Sequence, residues 1–314
     1  MLAGKVGVVF GAANKRSIAW GVVEAWVSAG ARVHVVCQSE RFVKGLEGLA
    51  VALDPSSASS GGSGGSGGGG IAGIHVCDVA SDDAILAFFE ALAEDGVSIA
   101  RASKREPLLD CVLHSIAHAP TAAMKGTLLE TTRADFASAH DVSAYSLIAI
   151  ARAAKPLMIA CPQAAEPVNA PNNSRGVGAE ATTPENAEAW RFGGSITALS
   201  FQGSSRAAPG YNVMGCAKAS LEAAARGLAL ELGPPAAGAV RVNVLSPGPV
   251  STLASRGVRS FVELKAAGLA RAPLRRTASA REVGAAAAFL ASDGAASVTG
   301  QVWCLDGGAS AVMV

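Results

Sequence analysis

Apolar residues in this chain come in short unbroken runs, separated by longer stretches of mixed pattern. VGVVF (6–10) is the first run and ends on Gly11. A continuous apolar run of this length marks a strand covered on both faces, as in a parallel sheet. ARVHVVC (31–37), IHVCDV (74–79), LLDCVLHSI (108–116), GSITALSF (194–201), VRVNVLS (240–246) and QVWCLD (301–306) repeat the pattern. After the first strand, Ser17 is placed to cap a helix through IAWGVVEAWVSAG, which Gly30 ends. Further helical stretches are expected at 81–94, 133–160, 211–232 and 280–291. Strands alternating with helices predict an α/β fold, a Rossmann-like doubly wound parallel sheet.

Two segments interrupt the rhythm. DPSSASSGGSGGSGGGG (54–70) has nothing to build a core with and reads as a flexible surface loop. The stretch 161–192 is rich in Pro, Asn and Ala and is long for a loop inside a compact domain. Both read as insertions into one dinucleotide-binding and catalytic domain spanning 1–314. For the second, disordered decoration is the plainer reading. Trp190 and Phe192 leave a partner-binding role open.

Composition narrows the classes. The 314 residues are half apolar, enough for a sizeable core, and the net charge is +1. No electrostatic argument points to nucleic acid or a membrane surface. No apolar run reaches the ~18–20 residues of a membrane span. The histidines lack metal-ligand spacing, so no metal is expected. The six cysteines (37, 77, 111, 161, 216, 304) stand far apart without a CxxC, and read as reduced, buried thiols of a reducing compartment. The opening MLAGKVGVVFGAA enters a strand at once, without a secretory h-region. The expected location is cytoplasmic, or organellar if a presequence precedes residue 1.

The first strand delivers GAANKRSIAWG (11–21), which departs from G-x-G-x-x-G. Its physics still suits a pyrophosphate. Gly11 permits a tight turn, and the helix start at Ser17 and Ile18 presents free N–H groups and a positive dipole end. A plain strand-to-helix turn is the competing reading. At the end of the second strand, Gln38 is neutral and suits a ribose 2′-hydroxyl, which favours NADH. Arg41 and Lys44 follow and leave NADPH open. Asp78 and Val79 end the third strand, where a carboxylate can accept from an adenine amino group or cap the next helix. Ser115 and Ile116 end the fourth, at the carboxyl edge where open α/β sheets bind ligands.

GYNVMGCAK (210–218) holds one of only two tyrosines. Seven residues of helix turn through roughly 700° and rise about 10 Å, so Tyr211 and Lys218 share a face. Lys218 leans back toward the helix start and can reach Tyr211 across something the size of a ribose. Its charge favours a phenol that donates to a developing oxyanion. Alone, a Tyr-x6-Lys is more often a helix start and a solvated lysine.

Together with GAANKRSIAWG, LHSIAHAP, AHDVSAYS and VRVNVLSPGPVSTLASRGVRSF, GYNVMGCAKASLEA resembles the NADH-dependent enoyl-acyl-carrier-protein reductases, a divergent branch of the short-chain dehydrogenase/reductases. The resemblance runs from residue 2 to the last strand and its DGG turn, outside the two insertions. Most short-chain dehydrogenases carry Tyr-x3-Lys; here position 214 is Met, as in the enoyl reductase branch. The resemblance implies hydride transfer from NADH to C3 of a trans-2-enoyl thioester in type II fatty acid synthesis. It makes Tyr211 the oxyanion donor and Lys218 the ribose clamp. Gly11, Ala13, Ser17, Ile18, Gln38, Asp78, Val79, Ser115 and Ile116 would line the cofactor, with Val250 and Thr252 at its carboxamide and pyrophosphate. A lid at 251–261 would cover the acyl chain, and Phe201, Tyr211, Met214, Leu253, Val258 and Phe261 would meet it. The implied partner is acyl carrier protein, or a coenzyme A thioester, and the implied assembly is a homotetramer.

The chain departs from that family at three places. Phe201 stands where many members have a second tyrosine. Ala117 replaces a glycine after Ser-Ile. Val262 and Glu263 stand where a basic pair is expected beside the lid, leaving Arg256 and Arg259 for carrier docking. Tyr145 sits mid-helix beside Leu147 and Ile148 and reads as a packing residue. Another short-chain reductase acting on a carbonyl, and an NAD(H)-binding scaffold with impaired catalysis, are the alternatives.

Overall fold

The computed structural model describes residues 1–53, 69–103, 108–159, 193–253, 255 and 260–313. Seven strands form a single parallel sheet: β1 (Val6–Phe10), β2 (Arg32–Cys37), β3 (Gly70–Val76), β4 (Cys111–His114), β5 (Ser195–Leu199), β6 (Arg241–Pro247) and β7 (Val302–Leu305). Their order is β3-β2-β1-β4-β5-β6-β7, every pairing parallel. The order reverses between β1 and β4, which creates a crevice at their carboxyl ends.

The strands feed two apolar layers because successive side chains alternate faces. Val8 and Phe10 of β1 join Val112 of β4 and Ile196 of β5 on one side. There they meet α3 (Asp82–Ser103), α6 (Ser146–Met158) and α7 (Asn212–Leu232). Val9, Val35, Leu113 and Leu245 face the other way, against α1 (Ile18–Ser28) and α9 (Ala280–Ala291). The remaining helices are α2 (Val43–Leu53), α4 (Thr121–Lys125), α5 (Arg133–His140) and α8 (Phe261–Arg271).

All seven expected strands are present, with three differences of extent. β3 begins at Gly70 rather than residue 74 and stops at Val76. The amide of Gly70 donates to Ala31 O at 3.0 Å, a backbone pairing that a side-chain pattern does not signal. The Gly/Ser insertion is therefore shorter at its end than 54–70, and 54–68 lies outside the described residues. β4 is only Cys111–His114, so Ser115 and Ile116 belong to the loop beyond it. The helix expected over 133–160 is two helices joined by a π-helical turn, Asp141–Tyr145. There the Ser146 hydroxyl donates back to Val142 O at 2.7 Å, the side-chain competition that loosens a helix turn. The whole of the segment 161–192 lies outside the described residues.

Two further expectations change. Tyr145 is not a core residue: its hydroxyl donates to the Asp82 carboxylate at 2.8 Å, and Arg152 donates to it at 3.4 Å, on the surface between α3 and α6. Of the five described cysteines, only Cys37, Cys77 and Cys111 are buried. Cys216 is intermediate, and Cys304 is exposed because β7 is the sheet's edge strand. Among the described residues no helix is long and apolar enough to cross a membrane.

Candidate active site

Gly11 closes β1 with φ +91°, a left-handed conformation that side chains rarely adopt. A Cβ there would overlap the Ser115 carbonyl oxygen, so the ends of β1 and β4 touch only because residue 11 is glycine. Ser17 then caps α1: its hydroxyl accepts from the amide of Trp20 at 3.2 Å and donates to Asn14 O at 2.7 Å. The first N–H groups of a helix have no partner within it, so Ile18 offers its amide at the mouth of the crevice. Ala13, Ser17 and Ile18 are all half-buried there.

Along the same edge, Gln38 is exposed just past β2. Next to it the Ser39 hydroxyl is buried without a hydrogen-bond partner among the described residues, a polar atom suited to a bound sugar or phosphate. The Arg41 guanidinium lies 4.5 Å over the Phe42 ring. Asp78 is exposed after β3 and accepts from the amide of Ala80 at 3.2 Å. It does not cap α3: Ser81 does, accepting from the amide of Ala84 at 3.2 Å. The Val79 side chain is buried in the core, leaving backbone as its means of meeting a ligand. A glycine turn, an open helix start and an unpaired hydroxyl at one sheet edge fit a dinucleotide.

Lys218 lies on the inner face of α7 and is 3 % exposed. Its ammonium donates to Leu199 O at 2.7 Å and to Ile116 O at 3.0 Å, so it ties the end of β5 to the loop after β4. Burial lowers its pKa to about 7, and the Glu222 carboxylate pushes the other way. Tyr211 occupies the N-cap position of the same helix. Burial, and then the Glu222 charge, hold its phenol well above the ordinary range, so it is neutral and protonated at physiological pH. Its ring packs on Phe201, centroids 4.8 Å apart at 59°. A Cβ on Gly203 would overlap the same ring, which is therefore fixed on two sides.

Met214 is buried, its sulfur 3.8 Å from the Ser143 hydroxyl. Ser143 also bonds both backbone groups of His118 at 2.8 Å, and Asn212 donates to Gly126 O at 2.6 Å. These contacts seat the 118–126 segment against the start of α7. Val250 packs on the α1–α9 layer, and Thr252 and Ser255 cap one another through reciprocal 3.0 Å bonds. Leu253 is half-exposed, and Phe261 opens α8 rather than ending a loop. Val258, Arg256 and Arg259 lie outside the described residues.

Three groups escaped the sequence reading. Ser200 donates to Glu222 at 2.5 Å, and both flank Lys218. His114 is fully buried at the end of β4, its Nε2 2.8 Å from the Ser146 hydroxyl. Ser146 already donates to Val142 O, so His114 must be the donor in that bond. Burial, and then the nearby Lys218 charge, lower its pKa to about 3, which keeps it neutral.

Known proteins resemble this chain over almost its whole length. A family model described as Enoyl-(Acyl carrier protein) reductase matches residues 11–169 and 173–310. The chain belongs to that family. Among curated relatives, the NADH enoyl-[acyl-carrier-protein] reductase of Nostoc is 36% identical over 98% of this chain and 96% of its own length. The NADPH enzyme of Staphylococcus aureus strain MRSA252 is 36% identical over 99% of this chain and 98% of its own. The crystal structure of the Aquifex aeolicus NADH enzyme has a TM-score of 0.77 at 30% identity, covering 100% of this chain and 99% of that one. That of the Anaplasma phagocytophilum enzyme in complex with NAD has a TM-score of 0.76 at 32% identity, covering 100% and 96%.

Proposed function

We propose that this enoyl reductase uses NADH to reduce the C2=C3 bond of a trans-2-enoyl thioester carried by acyl carrier protein, in type II fatty acid synthesis. The observation that carries the reading is the spacing on α7. Position 214, where a carbonyl-reducing relative would present its tyrosine, holds a Met buried against Ser143. The phenol is displaced to Tyr211, at the helix mouth, beside Phe201.

Gly11, Ala13, Ser17, Ile18, Gln38, Asp78, Val79, Ser115, Ile116, Val250 and Thr252 hold the dinucleotide, with Lys218 on its nicotinamide ribose. When bound, the nicotinamide supplies a hydride for C3. As negative charge gathers on the thioester oxygen, Tyr211 donates a hydrogen bond to it, and its high pKa keeps the proton in place. Protonation at C2 then completes the saturated thioester. Phe201, Met214, Leu253, Val258 and Phe261 surround the acyl chain, and the 251–261 lid excludes water.

Gln38 presents a neutral side chain to the ribose, which supports NADH over NADPH, while curated relatives include both kinds. A coenzyme A thioester is the alternative carrier. The assembly we expect is a homotetramer, with the mixed groove lined by Ala137, His140, Asp141, Tyr145, Ile148 and Ala224 as the face offered to a second copy.

The test is NADH oxidation against paired enoyl and 3-ketoacyl thioesters. The expected result is turnover of the enoyl substrate only, falling about 10²–10³-fold in Tyr211→Phe with NADH binding retained. Turnover of the ketone alone moves the assignment to a carbonyl reductase. NADH binding without turnover of either moves it to a scaffold, with Phe201 the first residue to exchange for tyrosine.

A further inference from the structure

Lys218 and Tyr211 carry opposite requirements. The lysine must stay charged while buried, and the phenol must stay neutral beside it. Burial alone works against the first, since it favours a neutral amine. The side chain that answers both is Glu222, one helical turn beyond Lys218 on the same face of α7.

Glu222 is held in place from the neighbouring strand. The Ser200 hydroxyl donates to its carboxylate at 2.5 Å, and Ser200 is 6 % exposed, so little water competes for that bond. The Ser200 backbone is itself fixed, its amide donating to Leu245 O at 2.8 Å. Leu199, the preceding residue, accepts from Lys218, and Phe201, the following one, packs on Tyr211. Three consecutive residues at the end of β5, Leu199 to Phe201, thus touch the lysine, the glutamate and the tyrosine in turn. The Glu222 charge raises the pKa of both Lys218 and Tyr211. Among the described residues, His114 on β4 also senses the Lys218 charge; it is neutral and supplies no counter-charge.

We propose that Glu222, held by Ser200, is a positioning residue: the counter-charge that keeps Lys218 an ammonium and Tyr211 a neutral phenol. It touches neither substrate nor cofactor, and it acts through the two residues that do. The inference rests on the enoyl reductase reading for its role in turnover, but the charge relationship is measurable without turnover.

The test is a pH titration of the Lys218 Cε resonance in [13C]lysine-labelled protein, assigned by its loss in Lys218→Met. In Glu222→Gln the lysine should titrate about half a unit or more below wild type. Glu222→Asp should recover part of that shift, and Ser200→Ala, which frees the carboxylate without removing it, should show a smaller one. The NADH dissociation constant of Glu222→Gln should rise more at pH 8 than at pH 6. A merely structural role would weaken binding equally at both pH values. An unchanged Lys218 titration in folded Glu222→Gln overturns the proposal and leaves the enoyl reductase reading standing. If Glu222→Gln does not fold, Ser200→Ala and Glu222→Asp decide by the same shift, and a titration identical to wild type in both overturns it. Wild type that fails to reduce enoyl thioesters sinks the functional reading and leaves this titration to decide the charge relationship alone.

Discussion

Gly203 shows how little room the Tyr211 ring has. An added Cβ would overlap its Cδ1 edge, while the opposite packing comes from Phe201. Gly203→Ala must therefore turn the phenol away from where it donates. Displacements of this size cost about 10²-fold in rate. The expected outcome is a loss in kcat of about 10–100-fold with the NADH dissociation constant unchanged, read by steady-state kinetics and fluorescence titration. Unchanged kcat would mean that the ring need not hold this position. At this scale the sequence was informative where function sits on one helix. Tyr211 and Lys218 stand out as candidates from spacing and resemblance, and the structure buries Lys218 on the inner face of α7 with Tyr211 at its start. Ser200 and Glu222 are not, because they lie 22 residues apart and meet only once α7 packs against the end of β5. His114 was hidden as well, since its partner Ser146 lies 32 residues away at the start of α6, just past the π-helical turn.

Elements were legible in proportion to their burial. β1, β5 and β6 are wholly or nearly buried runs, and their expected and observed limits agree within two residues. The edge strand β3 is only half-buried, and its first residues, Gly70 to Gly73, carry a single Ile between glycines, too weak an apolar run to mark a strand start. α4 and the π turn follow from contacts with α7 and from a hydroxyl's choice of carbonyl, which no local pattern encodes. One contact between elements also fixes the nucleotide edge. α1 lies so close to α9 that a Cβ on Gly21 would stand 2.6 Å from Ala280 O, and a side chain on Gly284 would overlap Gly21 O. Gly284→Leu should force the helices apart and destabilise the protein by about 1–3 kcal/mol in chemical denaturation. NADH affinity should fall with it, because the start of α1 moves. A stable Gly284→Leu protein with unaltered NADH binding would show that this close packing is dispensable.

For the molecule as a whole, two histidines, His34 half-buried and His114 fully buried, set a limit on acid stability. His34 hydrogen-bonds His75 at 3.0 Å between β2 and β3, and burial, with a smaller contribution from His75, lowers its pKa to about 4. His114 is lowered to about 3. Both are neutral in the fold, whereas in the unfolded chain they take up protons near the ordinary 6.5. The unfolded state then binds more protons as pH falls below about 6.5, so the histidines' contribution to stability is lost from there toward pH 3–4 and is flat above. Thermal melting across pH 7 to 4 should show that decline, and His34→Gln should flatten part of it. A melting temperature constant over this range would contradict neutral histidines in the fold. The same sheet brings Gly11 and Lys218 to one edge, through Ser115 and Ile116 just past β4, and the proposed site draws on residues about 200 positions apart in the chain.

The most direct measurement follows the hydride itself. The protein is given NADH carrying deuterium at both C4 positions and a short trans-2-enoyl thioester in ordinary water, and the product is read by NMR and mass spectrometry. The account predicts a saturated thioester with one deuterium at C3 and a solvent hydrogen at C2. Deuterium at C2, or label found only in an alcohol formed from a carbonyl substrate, would contradict it.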